Sequence, residues 1–404
     1  MNIKSLLLGS AAALVAVSGA RAADAVVYEP EPVEYVKVCD AYGAGFFYIP
    51  GTETCLSISG YVFVQIGASN EFGRTPDYYG GTVVDGSYSP YVRARVNFDA
   101  RSDTEWGTLR SYVRVQTDWV DRSNTSDGPA FFDQAFIELG GWRMGYTESA
   151  YWANKAPGVQ NVNGGTYYST NWTGYQQRFQ INYTFAANGF SATIGLEDDD
   201  ATTDAFGLAG PVGVTYDNFV PDVVGVVAYN AGWGGVWAKV AYDEMMANGT
   251  AIPVLLPQSL NGSVAAQIGA QLNIPNMAGS YIRLAGHYAS GDNAYGIAPF
   301  RSVVLFPATI FNPAVTVGAA KWSIHASARA AFSPEVAAVG NLYYNIDHYF
   351  AGTKINTGLD SWAAEAVLLW TPVKNFEVQA GLAYTKLQTF RGTTGGYLRF
   401  TRFF

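Results

Sequence analysis

From Tyr91 onward apolar and polar residues alternate one for one. In YVRARVNFDA, Val92, Ala94, Val96 and Phe98 take one parity, and Arg93, Arg95, Asn97 and Asp99 the other. LRSYVRVQTDW sets Val113, Val115 and Trp119 against Arg110, Tyr112, Arg114, Gln116 and Asp118. YQQRFQINYTF sets Tyr175, Phe179, Ile181, Tyr183 and Phe185 against Gln176, Arg178, Gln180, Asn182 and Thr184. A period of two predicts strands with one apolar and one wet face; a helix would repeat near 3.6.

Extended along the chain, the pattern predicts strands near 56–68, 88–101, 107–119, 130–139, 142–149, 175–185, 190–198 and 221–231. Eight more fall near 235–243, 264–273, 278–289, 319–332, 336–347, 361–371, 376–386 and 396–404. The period is weakest over 221–231 and 235–243. Sixteen is an even number, as closed bacterial membrane barrels have. Connections alternate between short turns, such as 140–141 and 186–189, and long loops rich in Gly, Asn, Asp and Pro, such as 148–174, 199–220, 244–263 and 290–318, of which the last two are unusually apolar. Aromatic residues stand near the ends of the apolar faces: Trp119, Tyr146, Tyr183, Trp322, Tyr344, Trp370 and Tyr384. Amphipathic rings favour the headgroup level, so these read as two girdles. The expected fold is all-β: a 16-stranded antiparallel transmembrane β-barrel with short periplasmic turns and long extracellular loops, one of them folded into the lumen.

Composition supports a barrel over a helical membrane protein. Only 14% of the 404 residues are charged and 15% are aromatic, against roughly 25% charged in ordinary soluble chains. Mean hydropathy is +0.04, and no stretch after residue 22 reaches the ~18 apolar residues of a membrane helix. The first 22 residues have the form of a secretory signal: Lys4, an apolar run from Leu6 to Val17, then Ala20-Arg21-Ala22. The expected division is a signal peptide over 1–22, an N-terminal extension over 23–55 and a barrel over 56–404. Removing Lys4 and Arg21 leaves 22 basic against 33 acidic residues, a net charge of −11 that argues against a nucleic-acid partner. The two cysteines, Cys39 and Cys55, read in an exported chain as one disulfide closing a small loop. Too few Cys and His lie nearby for a metal site.

Charge on the inward parity is the candidate chemistry. Arg93, Arg95, Arg110 and Arg114 fall on neighbouring strands, and Arg143, Arg178, Arg283, Lys321, Arg329 and Arg399 share their parity. A charge facing lipid at mid-depth costs roughly 2–4 kcal/mol. Restriction to one parity therefore has a bland account, solubility of a wet lumen. The sharper account is a basic wall at the narrowest point, with Arg93, Arg95, Arg110, Arg114, Arg143, Arg178 and Arg283 lining the pore.

The loop Glu148 to Tyr175 is long, aromatic and nearly uncharged, unlike EDDDATTD at 197–204. It is expected to fold inward as the constriction, carrying Glu148, Tyr151, Trp152, Asn154, Lys155, Tyr167 and Tyr168; a surface loop is the alternative. No nucleophile elbow, Walker A motif, dinucleotide fingerprint or metal spacing occurs, so no enzyme and no cofactor is expected. His287 and His325 fall on inward parity as wet lumen residues.

Several blocks resemble the trimeric general porins of alphaproteobacteria: EPVEYVKVCDAYGAGFFYIPGTETCLSISGYV, ELGGWRMGYTES, FVPDVVGVVAYNAGWGG and the closing YLRFTRFF. The resemblance runs from the signal to the last residue and departs in the loops 244–263 and 290–318. It implies a homotrimeric outer-membrane barrel passing ions and small hydrophilic solutes passively, in contact with lipid and lipopolysaccharide. It also implies entry of the loop after the fifth strand into the pore. YLRFTRFF resembles the signal by which the barrel assembly machinery recognises its clients, which assigns that role to Phe400 and Phe404. Two rival readings remain: a substrate-specific channel, for which Tyr112, Phe136, Tyr281 and Tyr343 offer scattered inward aromatics, and a surface adhesin or receptor using its long loops.

Overall fold

The computed structural model describes residues 37–69, 88–120, 130–153, 177–198, 215–216, 220–243, 247–248, 262–299, 304–306 and 315–404. Sixteen strands form the barrel. They are β1 (Cys55–Ser69), β2 (Tyr88–Thr104), β3 (Gly107–Val120), β4 (Phe131–Leu139), β5 (Trp142–Glu148), β6 (Gln177–Ala187), β7 (Phe190–Glu197) and β8 (Asp222–Ala231). The second half is β9 (Gly234–Asp243), β10 (Ser263–Asn273), β11 (Tyr281–Ala289), β12 (Val315–Ala331), β13 (Val336–Phe350), β14 (Ser361–Val373), β15 (Phe376–Leu387) and β16 (Thr393–Phe403). Each strand pairs antiparallel with the next, and β16 returns to β1 from Tyr61↔Phe403 to Ser69↔Gly395. The barrel is therefore closed, which removes the exposed edges that an open sheet would present.

Alternation decides which face is which. On β1, Val62, Val64 and Ile66 are exposed while Phe63 and Gln65 are buried. On β13, Leu342 and Tyr344 point out while Asn341, Tyr343 and Asn345 are buried. Apolar side chains on the outer face meet lipid; the inner face is largely polar. The two strands with the weakest period, β8 and β9, still form full ladders from Val223↔Tyr242 to Ala231↔Gly234. Their inner face carries Val224, Val226 and Ala241, which blurs the alternation in sequence.

The predicted girdle aromatics sit outward. Trp119, Tyr146, Tyr183, Trp322, Tyr344 and Trp370 are all exposed, and Tyr384 lies against Trp362 with ring centroids 5.0 Å apart. Trp142 and Tyr183 pair at 5.1 Å beside the short β4–β5 turn, and Tyr288 and Trp322 at 4.6 Å nearer the opposite rim.

A small unit precedes β1. Cys39 and Cys55 are joined by a disulfide, and a three-residue strand, Phe46–Tyr48, pairs with the start of β1. Cys39, Phe46 and Cys55 form a buried cluster with Tyr42 and Tyr48 against it. The Tyr42 hydroxyl donates to Asp103 Oδ1 at 2.7 Å, tying this unit to the end of β2.

Candidate functional site: the lumen wall and the inserted segment

The arginines of the expected basic wall lie on the inner face, and each of the first six is paired with a carboxylate. Arg93 Nε donates to Asp118 Oδ1 at 2.7 Å. Arg95 Nη2 lies 3.2 Å from Asp133, and Arg114 Nη1 3.4 Å from the same carboxylate. Arg110 bridges Asp99 at 2.9 Å and Glu138 at 2.8 Å. Glu138 also takes Arg143, and Asp222 takes Arg178 at 3.3 Å. Arg283 donates to Gln271 Oε1 at 2.9 Å and lies 4.9 Å above the Tyr281 ring. The strand register produces this order, since Arg93↔Asp118, Arg110↔Glu138 and Glu138↔Arg143 are direct cross-strand partners. Opposite charges so placed attract, whereas like charges there would repel. The inward arginines are thus interleaved with carboxylates as a mixed-charge ladder.

One member of the ladder arrives by a break in the strand. In β4 the register shifts between Arg114 and Val115, with Arg114 opposite Gln134 and Val115 opposite Phe132. This leaves Asp133 as the extra residue of a bulge. Phe131 and Phe132 are both exposed, and Asp133 and Gln134 are both buried. Strict alternation would have turned Asp133 toward lipid. The sequence signal was the doublet pattern FFDQ, two apolar residues followed by two polar ones.

Tyr112 and Phe136, cross-strand partners on β3 and β4, stack with centroids 5.0 Å apart. The guanidinium of Arg110 lies 5.1 Å and 5.3 Å from these two rings. These two aromatics are neighbours, while Tyr281 and Tyr343 lie on β11 and β13.

After β5 the chain turns into a single helical turn, α1 (Ala150–Ala153). Ser149 caps it: its hydroxyl accepts the Tyr151 N–H at 3.2 Å. Gln180 Nε2 fixes the preceding residues through the carbonyls of Thr147 and Glu148, at 3.0 and 2.9 Å. Tyr151 and Trp152 then bury against Val224 and Val226 of β8, Ala241 of β9 and Ala265 of β10. Lys239 Nζ on β9 donates to the Tyr151 carbonyl at 2.7 Å. The Trp152 ring stacks 6.2 Å from that of His287 on β11. These partners all sit on inner faces, three or more strands away from β5. The segment therefore enters the lumen. Of the residues expected in the constriction, Glu148, Tyr151 and Trp152 are placed by these contacts; Asn154, Lys155, Tyr167 and Tyr168 lie outside the described residues.

Comparison with known proteins agrees with this geometry. The sequence profile described as the porin subfamily matches residues 24–397. The chain belongs to the porin family. Porin Omp2b of Brucella suis biovar 1 is 42% identical over 264 residues, covering 61% of this chain and 67% of that protein. Among solved structures, the outer-membrane channel DcaP of Acinetobacter baumannii matches with a TM-score of 0.62 at 12% identity, over 88% of this chain and 99% of that one. An anion-selective porin from Comamonas acidovorans matches with a TM-score of 0.57 at 13% identity, over 87% of this chain and 100% of that one. At such identities the two structures speak for the fold. The porin is an outer-membrane β-barrel forming a channel.

Part of the lumen of this porin was not foreseen. The loop after β11, one of the two in which the chain departs from the family, runs inward over residues 290–299. Tyr295 and Ile297 join the cluster around Tyr151 and Trp152. The Tyr295 ring lies 5.3 Å from that of Tyr151. Asp292 anchors the loop by accepting the Ala319 N–H at 2.6 Å and the Gly352 N–H at 2.7 Å. The signal was compositional: GDNAYGIAPF carries small residues and one charge, and lacks the acidic run of an exposed loop.

Proposed function

We propose that this porin passes ions and small hydrophilic solutes by passive diffusion. The segment after β5 is the constriction, and the mixed-charge ladder of β2–β6 borders the open path. The observation that carries this reading is the crossing of α1 from β5 to the inner faces of β8–β11. With those strands covered, solutes are directed along the arginine–carboxylate wall. No energy source or cofactor is required, because the field of fixed charges and the pore width set the selection.

The working assembly in this reading is a homotrimer embedded in outer-membrane lipid and lipopolysaccharide. Phe400 and Phe404, outward on β16 and just beyond it, serve as the address read by the barrel assembly machinery. Planar-bilayer recording tests the reading: purified protein is expected to give large ohmic steps in sets of three. Absence of conductance overturns it, and block by one solute at micromolar level would replace it with a substrate-specific channel.

A further inference from the structure

The 290–299 loop and α1 meet at a buried polar knot. The Tyr295 hydroxyl lies 3.0 Å from Glu197 Oε2 and 2.9 Å from Asp222 Oδ2. Glu197 Oε1 accepts the backbone N–H of Ala150, the first residue of α1, at 2.6 Å. Arg178 donates to Asp222 at 3.3 Å, and its guanidinium lies 5.0 Å from the Tyr295 ring centre. Tyr295, Glu197 and Asp222 are all 1% exposed or less. Glu197 ends β7 and Asp222 begins β8, and the two are direct cross-strand partners.

Two neighbouring carboxylates repel unless something neutralises them. Arg178 supplies one positive charge. The phenol supplies one proton that both carboxylates can accept. Burial holds the Tyr295 phenol in its protonated form well above the ordinary titration range, so the donor is retained in any usual recording buffer.

We propose that Tyr295 is a latch: by bonding the carboxylate that also holds the Ala150 N–H, it fixes the first turn of the inserted segment, so two loops rather than one set the steadiness and width of the pore. The idea rests on the channel reading above. Tyr295 is a positioning residue, since it acts through Glu197 on α1. Its ring packing on Tyr151 alone would fill space; the hydroxyl adds direction, and a hydrogen bond to a charged group is stronger than a neutral one.

The test is single-channel recording of Tyr295→Phe, which keeps the ring and removes the hydroxyl, with heat stability of the assembled protein measured in parallel. Expected is about a tenfold rise in the frequency of current fluctuations, equivalent to ~1.4 kcal/mol lost from the latch. Passage of solutes near the exclusion limit should rise in liposome swelling. Glu197→Gln, which deprives one of its two donors of an acceptor, should reproduce the fluctuations and guards against a Tyr295→Phe chain that fails to assemble. Quiet traces and unchanged exclusion in both variants, with a conducting parent, overturn the latch alone. A parent that does not conduct overturns the channel reading instead.

Discussion

Arg93 and Asp118 face each other across β2 and β3 as a two-pronged ion pair, Nε to Oδ1 at 2.7 Å and Nη2 to Oδ2 at 2.8 Å. Arg93 is 3% exposed and Asp118 21%. A paired guanidinium contributes little far field, because the carboxylate beside it cancels most of its charge. The preference of the channel therefore depends on the balance along the ladder rather than on the number of arginines.

Removing carboxylates should unmask that charge. Asp118→Asn and Asp133→Asn together leave Arg93, Arg95 and Arg114 without these partners, and the reversal potential in a salt gradient should move toward anions. Neutralising Arg93, Arg95, Arg110 and Arg114 should move it toward cations. A reversal potential indifferent to both sets would exclude the ladder as the selecting surface. Arg93 and Asp133 are buried, at 3% and 4% exposure, so the stability cost should exceed the ~1 kcal/mol of exposed pairs and approach the several kcal/mol of a buried one.

The inserted segment gives the second expectation. Deleting 150–172 withdraws the Tyr151 and Trp152 side chains from β8–β11 and opens the lumen beside the ladder. Conductance should rise, and larger uncharged solutes should enter in liposome swelling. Unchanged conductance on deletion would place the narrowest point elsewhere.

Most of the barrel was legible in the sequence because lipid enforces a simple rule. Side chains that meet lipid are mostly apolar, so alternation in stretches such as YVRARVNFDA sets which residues face outward. Sixteen strands were expected, and sixteen close the sheet. The misses come where the rule relaxes. At Asp133 a bulge shifts parity, and a bulge costs only one residue in the pattern. At Tyr295 the loop obeys no period, because its partners Glu197 and Asp222 lie 98 and 73 residues away along the chain. Glu197 itself sits in the acidic run EDDDATTD, which reads as solvent-facing. Ion pairing along the ladder was hidden for a different reason: parity tells which residues face inward, not which stand opposite across the register.

The disulfide unit should be separable from the barrel. Cys39–Cys55 spans 16 residues, and closing a loop of that size restrains it by ~3 kcal/mol in the chain-entropy account. Other ties of this unit include three paired residues on β1, the Tyr42–Asp103 bond and the Arg101 guanidinium 5.8 and 5.0 Å from the Tyr42 and Phe46 rings. Reduction, or Cys39→Ser with Cys55→Ser, should expose residues 40–54 to limited proteolysis while the barrel keeps its heat stability. Protection equal to that of the oxidised protein would show that packing around Phe46 suffices without the bond.

The seam makes the most demanding prediction, because one glycine carries it. Gly60 on β1 exchanges two backbone hydrogen bonds with Phe404, N to O at 3.0 Å and O to N at 3.1 Å. A methyl group at Gly60 would come 2.2 Å from the Arg95 carbonyl oxygen and 2.8 Å from the Phe404 ring. The ring can turn away; the carbonyl belongs to the β1–β2 ladder and cannot move without breaking pairs such as Ser59↔Asn97 and Tyr61↔Arg95. Overpacking of this kind costs about 1–3 kcal/mol. Its site is the junction where β16, β1 and β2 meet, so the cost falls on closure. Gly60→Ala should lower the yield of heat-modifiable barrel on cold gels and leave single-channel conductance of the surviving fraction unchanged. Phe404→Leu, which removes the ring but leaves the Arg95 carbonyl in place, should not rescue it. Rescue would assign the clash to the ring, and undiminished yield of Gly60→Ala would show that the seam yields by a larger shift of β2.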